Sequence, residues 1–280
     1  MKPPPTQPPR VLWVDDDPSI RRLVALALED EAIDLVLCAS VAQARAALAH
    51  PVEPAQGPVA LLVTDLMMPG ENGFDLLDSL AGAARPRTVV FSARLDEDTQ
   101  ARLAALGVWR HLVKPAPVAA LVACVRDGLE IHRAAGPDRL GGVDDADGAV
   151  GAGGADGAGA TDAADGADGA GHPTAAAPEP QRRAQALARN FGGDQRLFDA
   201  FEAACHDQFF HDLLAGDKAA TTDEGLPSLR LLGHSLKSVL LSLGHDAPAA
   251  HAQALEQAGD RPAALQAWAA LRQALVNIRL

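Results

Sequence analysis

VALLVTDLMMPGENGFD, Val59 to Asp75, is the stretch on which the fold turns. Ala60 to Val63 is an unbroken apolar run, as in a strand covered on both faces. The run leads to Asp65, and Met67, Met68, Pro69 and Gly70 then turn the chain. A carboxylate just beyond a buried parallel strand sits at the edge where open α/β sheets bind ligands.

Three further short apolar runs end in the same way. Val11–Val14 leads into Asp15, Asp16 and Asp17, Thr88–Phe91 into Ser92, and His111–Val113 into Lys114 and Pro115. Helical patterns lie between them, such as Ile20, Leu23, Val24, Ala27 and Leu28 on one face. Strand and helix alternate five times, which predicts an α/β doubly wound, five-stranded parallel sheet. Right-handed crossovers bring every strand C-terminus to one rim. Clustered carboxylates on that rim repel one another and invite a hard cation. Mg²⁺ takes oxygen ligands and keeps positions open for phosphate oxygens. With that charge neutralised, one carboxylate can attack a phosphoryl group. Lys114 offers a point charge to a phosphoryl oxygen, and Ser92 offers a hydrogen bond to another. Phosphoryl transfer asks mainly for positioning and charge stabilisation, which this set supplies.

VDDD at Val14–Asp17, TDLMMPGENG at Thr64–Gly73, FSA at Phe91–Ala93, VKP at Val113–Pro115 and Gly107 together resemble a two-component receiver domain. The resemblance covers residues 10 to about 133 and implies the flavodoxin-like receiver fold. It implies Asp65 as phosphoacceptor and Asp15 and Asp16 as the Mg²⁺-binding acid pair. The metal set is thus Asp15, Asp16, Asp65 and the backbone carbonyl of Met67. Ser92 takes the hydroxyl role and Lys114 the phosphate-sensing role. His111 departs from the pattern, because the family usually places Tyr or Phe there as a rotamer switch.

The 280-residue chain has room for two domains. Its net charge of −13 disfavours nonspecific nucleic-acid binding. That charge divides as −4 over residues 1–136, −8 over 137–180 and −1 over 181–280. Neither expected domain carries a basic stripe. Cys38, Cys124 and Cys205 are scattered and odd in number, as for reduced thiols rather than a disulfide or zinc framework. No apolar run reaches transmembrane length, and the Pro-rich start does not read as a signal peptide, so a cytoplasmic location is expected. The expected organisation is a disordered tail over 1–9, the receiver over 10–136, a linker over 137–180 and a helical domain over 181–280. His50–Pro58, with three prolines, reads as a tolerated surface loop. The linker is Gly, Ala and Asp in near-repetition, which cannot bury a core.

Residues 181–280 lack a strand pattern. Helices are expected near Asp194–Leu214, Leu229–Leu243, Ala247–Gln257 and Pro262–Ile278, punctuated by glycines that include Gly216. That predicts an all-α, antiparallel four-helix bundle. Within Leu229–Leu243 the apolar face is Leu229, Leu232, Leu236, Leu240 and Leu243. His234 lies off this face, on an exposed stripe between Arg230 and Lys237. Two cations beside an imidazole disfavour the imidazolium and keep the nucleophilic neutral form. They also suit incoming phosphoryl oxygens.

NFGGD at Asn190–Asp194, HSLKSVLLSLG at His234–Gly244 and ALEQAGD at Ala254–Asp260 resemble a histidine phosphotransfer domain over nearly the whole bundle. The resemblance implies His234 as phosphoacceptor and Lys237 as its phosphate-stabilising neighbour. Ser238 stands where that family commonly has Gly. The remaining histidines have no comparable setting.

The expected function is therefore a phosphorelay protein, with one phosphoryl acceptor at Asp65 and another at His234. A sensor or hybrid histidine kinase must supply the phosphoryl group, and receivers of other response regulators are the further partners. Nucleic acid and membrane are not expected partners. Two other outputs are a DNA-binding response regulator, which needs a basic recognition helix, and a bundle acting as a phosphatase or interaction module. Tethering by a flexible linker spanning roughly 35 Å lets Asp65 and His234 meet, but complementarity between their surroundings is not written in the sequence.

Overall fold

The computed structural model describes residues 8–49, 57–80, 85–93, 95–135 and 179–279. The expected tail, the Pro-rich loop and the Gly/Ala/Asp linker fall almost entirely outside these residues. The first part alternates strand and helix. It runs β1 (Arg10–Val14), α1 (Pro18–Ala27), β2 (Asp34–Cys38), α2 (Val41–Ala49), β3 (Val59–Thr64), α3 (Gly73–Ser79), β4 (Arg87–Ser92), α4 (Glu97–Ala105), β5 (Arg110–Val113) and α5 (Val118–Ala135).

All strand pairings are parallel, in the order β2-β1-β3-β4-β5. The expected five-stranded, doubly wound sheet is therefore present. The central strands are buried along their length because both faces are covered. Successive residues of β1 go to opposite faces. Val11 and Trp13 pack towards α1 and α5, and Leu12 and Val14 pack with Val41 and Ala44 of α2. Register then sets the rim. Val14 pairs with Thr64, Thr64 with Val90, and Ser92 with Val113. The residues that follow β1 and β3 thus lie beside one another where strand order reverses, the usual ligand crevice of such a sheet.

Five helices make up the second part: α6 (Glu179–Phe191), α7 (Gln195–Thr221), α8 (Leu226–Leu243), α9 (Asp246–Glu256) and α10 (Arg261–Arg279). Helices α7 to α10 pack on one another, and α6 lies across α7 and α8. Their core holds Phe198, Phe201, Phe209, Leu229, Leu236, Leu240, Trp268 and Leu271.

Two sequence expectations are corrected here. Helix α7 does not stop near Leu214 but continues through Gly216, where a side chain would overlap the Trp268 ring. That glycine serves helix packing rather than a helix end. Helix α6 was not expected, and it starts at Glu179, inside the segment assigned to the linker. It is amphipathic but mostly polar and buries few apolar side chains, among them Ala186 and Phe191.

The two parts touch. Helix α1 packs against α7, and α5 touches α6. Cys205 on α7 shares a hydrogen bond with the side chain of Ser19, and Arg196 pairs with Glu29 at the surface. One apolar cluster runs from the α1/α5 face of the sheet into the C-terminal helices.

Candidate functional site

Asp65 leaves β3 with its carboxylate 2 % exposed. Its Oδ1 accepts hydrogen bonds from the backbone N–H groups of Leu66 and Met67, at 2.5 and 3.1 Å. Its Oδ2 accepts from Lys114 Nζ at 2.6 Å, and the same ammonium donates to Asp15 Oδ2 at 2.6 Å. Burial pushes Asp65 upward, but the charge and hydrogen bond of Lys114 outweigh it and leave the carboxyl below its ordinary value. Asp15 behaves differently. Burial raises it to about 7, with Lys114 opposing and Asp65 and Asp17 adding to the rise. Burial, helped by Asp15 and Asp65, raises Asp16 to about 6. One ammonium is therefore short of the positive charge that this cluster calls for.

The acid triplet divides its labour. Asp17 caps α1, accepting from the N–H groups of Ser19 and Ile20, while Pro18 opens the helix. Asp15, Asp16 and Asp65 each present a carboxylate oxygen within 4.8 Å of the others. Ser92 Oγ is buried at the end of β4 and has no hydrogen-bond partner among the described residues. Met67 lies in the turn after Asp65 with its side chain exposed. Gly73, at the start of α3, permits that turn to close, because a Cβ there would lie 2.1 Å from the Asp65 carbonyl oxygen. His111 on β5 is exposed, away from this cluster.

His234 on α8 is the second group, and its setting differs from the expectation. It is 3 % exposed instead of standing on an open stripe. The reason is tertiary. Asp15, Asp16, Asp17, Ile20, Asp65 and Lys114 line one small cavity together with His234, Ser235 and Ser238, so the sheet rim covers the imidazole. Its immediate partner is an anion rather than the two expected cations. Nδ1 lies 2.8 Å from Glu256 Oε1 of α9, and Lys237 Nζ donates to Glu256 Oε2. Arg230 turns away and donates to the Glu256 backbone carbonyl at 3.3 Å. Burial pushes the Glu256 carboxyl up, but the hydrogen bonds and charges of His234 and Lys237 prevail and hold it near 2. An ionised carboxylate only accepts hydrogen bonds, so the proton sits on Nδ1. In the neutral ring Nε2 then keeps its lone pair. Nε2 is buried with no hydrogen-bond partner among the described residues. Close approach of α8 to α9 makes the His234–Glu256 contact possible. Gly233 allows it, since a Cβ would lie 2.7 Å from both Ala252 O and Glu256 N.

Residues 11–126 match the response regulator receiver domain family. This part of the chain is a response regulator receiver domain. The transcriptional regulatory protein AruR of Pseudomonas aeruginosa is 32% identical over 135 residues, covering 47% of this chain and 55% of the relative. The DNA-binding response regulator MtrA of Mycolicibacterium smegmatis is 31% identical over 120 residues, covering 43% and 50%. The chain thus spans about half the length of these curated relatives. A response regulator receiver protein from Pseudomonas putida, known from a crystal structure, is 30% identical over 43% of this chain and 97% of its own, with a TM-score of 0.39.

The receiver brings together Asp15, Asp16, Asp65, Ser92 and Lys114, and it excludes His111. The helical part adds His234, Lys237 and Ser238. Such a set places a hydrogen-bonded carboxylate, an ammonium and an imidazole around one small volume. Glu256, Gly73 and Gly233 were not singled out from sequence. Glu256 lay inside ALEQAGD, but its partner is on another helix. Among the described residues, no helix is long and apolar enough to cross a membrane.

Proposed function

We propose that the chain is a phosphorelay protein, in which the receiver accepts a phosphoryl group on Asp65 and a four-helix histidine phosphotransfer bundle carries one on His234. The observation that carries this reading is the state of His234, with Nδ1 held by an ionised Glu256 and Nε2 buried but unpaired. A structural histidine normally satisfies both ring nitrogens, whereas a nucleophile needs a free lone pair and a partner orienting the opposite nitrogen. Lys237 supplies positive charge beside the ring, while Lys114 and Ser92 are placed to meet phosphoryl oxygens at Asp65.

Mg²⁺ suits the rim, because three carboxylate groups lie close enough to share one ion and two of them, Asp15 and Asp16, are raised by burial and then by neighbouring carboxylates. Asp15, Asp16, Asp65 and the Met67 carbonyl would hold it. When bound, the ion neutralises carboxylate charge as an anionic donor approaches. Asp65 Oδ2 attacks the phosphorus of the donor phosphohistidine, the P–N bond breaks with its electron pair returning to the donor imidazole, and Lys114 exchanges its carboxylate contact for a phosphoryl oxygen. His234 Nε2 accepts the phosphoryl group from an acyl phosphate while Nδ1 stays bonded to Glu256.

The resulting domain limits are a receiver over 10–136, a linker that ends before Glu179, and a phosphotransfer domain over 179–280. A sensor or hybrid histidine kinase is the donor, and receivers of other response regulators are further partners. The DNA binding named in the MtrA relative is not carried over, because the helical part here has a net charge of only −1. Labelled phosphate offered from histidine kinases and phosphorylated receivers to wild type, Asp65→Asn and His234→Gln tests the reading. Each substitution should remove one labelled site. Release of free phosphate with no labelled His234 would instead identify a phosphatase.

A further inference from the structure

We propose that the partner for which His234 is built is the receiver of its own chain, and that the two acceptors exchange a phosphoryl group intramolecularly from a docked arrangement that shields both. This rests on the reading of His234 as a phosphoryl acceptor. Three observations carry the additional step. Asp65, Lys114 and His234 line the same cavity of about 10 Å³. The imidazole and the Asp65 carboxylate both lie in the walls of that cavity and are both buried, at 3 % and 2 % exposed. The contact around them is extensive rather than a single touch. Helix α1 lies on α7, Asp16 to Ser19 border a groove shared with Phe209, Ser235 and Val239, and Arg196 pairs with Glu29.

The transfer balances without a further reagent. The bond from phosphorus to Asp65 Oδ2 breaks, its electron pair returns to the carboxylate, and Nε2 uses its lone pair to form the N–P bond. The Nδ1 proton remains against Glu256. The reverse step restores the acyl phosphate. A cavity of about 10 Å³ holds no more than one water, so the arrangement seen is that of the unphosphorylated chain. Phosphorylation must part the walls slightly. An outside receiver or kinase reaches either acceptor only when the docked face opens.

Ser19 provides a probe of docking outside the reacting groups. It is buried on α1 and meets Cys205 of α7, so Ser19→Arg places a long cation in the contact without altering Asp65 or His234. The experiment uses full-length chains at about 10 μM with Mg²⁺ and labelled acetyl phosphate. Wild type is compared with Ser19→Arg and with an equimolar mixture of Asp65→Asn and His234→Gln chains. Label on His234 is separated from label on Asp65 by the greater alkaline stability of phosphohistidine. Tethering at an effective concentration near millimolar predicts that wild type labels His234 about a hundredfold faster than the mixture. The wild-type rate should not depend on protein concentration, and Ser19→Arg should lose most of this advantage while labelling Asp65 normally. Equal rates for wild type and mixture, both rising with concentration, would overturn the intramolecular partnership and leave His234 as an acceptor. So would label reaching His234 only from an added phosphorylated receiver of another protein. Failure to label His234 from any phosphorylated receiver would overturn the acceptor assignment itself.

Discussion

His234 Nδ1 lies 2.8 Å from Glu256 Oε1, and the other oxygen of that carboxylate receives Lys237 Nζ. Glu256 therefore sets both the tautomer of the proposed nucleophile and the position of its neighbouring cation. Glu256→Ala is expected to slow phosphoryl transfer to His234 by about 10- to 100-fold, the usual loss when a group orienting a histidine is removed. It should cost about 1–3 kcal/mol of stability by leaving buried donors unpaired. Nitrogen chemical shifts of His234 should show the Nδ1-protonated form giving way to a tautomer mixture. An unchanged tautomer with unchanged transfer would reduce Glu256 to a packing residue.

Lys237 was expected to be exposed, but it is part-buried against Glu256. Lys237→Ala should thus cost a small amount of stability, about 1 kcal/mol or less. The proposed role beside the phosphoryl group calls for roughly tenfold slower transfer, of the size lost with one charge-assisted hydrogen bond. A thermal melt with the transfer rate separates these effects, and a wild-type rate would show that Lys237 only pairs with Glu256.

The same carboxylate gives a pH signature. Glu256 takes up its proton near 2 in the folded chain, against an ordinary value of 4.5. As pH falls, the unfolded chain is protonated first. The contribution of Glu256 to stability is therefore complete above 4.5 and disappears as pH drops towards 2. Urea unfolding of wild type and Glu256→Gln should differ by a constant amount between about pH 5 and 7, with the gap narrowing below about pH 4. A gap that widens on acidification would contradict the ionised state of Glu256.

At the receiver rim the decisive measurement is metal removal. Asp15, Asp16 and Asp65 crowd one ammonium, and an anionic donor must approach this cluster. With acetyl phosphate and Mg²⁺, intact mass should show one added phosphoryl group that Asp65→Asn abolishes. EDTA should prevent its appearance. Equal modification with and without EDTA would remove the ion from the reaction.

The receiver was legible because local signals and topology point the same way. Each apolar strand ends in a polar group, and parallel winding forces those ends together, so Asp15, Asp65, Ser92 and Lys114 could be placed on one rim without coordinates. His234 could be located on its helix, but its exposure could not. Periodicity describes what lies on a helix face, whereas the cover over His234 comes from residues more than a hundred positions away. Glu256 was hidden for the same reason. Its meaning depends on α8 lying against α9, a contact that no single-helix pattern encodes. Helix α6 was missed because it is mostly polar and packs through only a few apolar side chains, such as Ala186 and Phe191.

Gly233 tests that helix contact directly. A methyl group at this position would sit 2.7 Å from Ala252 O and from Glu256 N, and 3.1 Å from the Leu255 Cβ. Two of these atoms are backbone, so rotamer changes cannot relieve the overlap and α8 must move away from α9. In Gly233→Ala the helix itself gains propensity, by up to about 1 kcal/mol. Overpacking costs about 1–3 kcal/mol, and net destabilisation is the expected result. The same displacement lengthens His234 Nδ1 to Glu256 Oε1, so transfer should fall along with Glu256→Ala. The double variant Gly233→Ala/Glu256→Ala should be scarcely slower than Glu256→Ala alone, because both act through one contact. Fully multiplicative losses would mean that Gly233 shapes the docking face independently of Glu256.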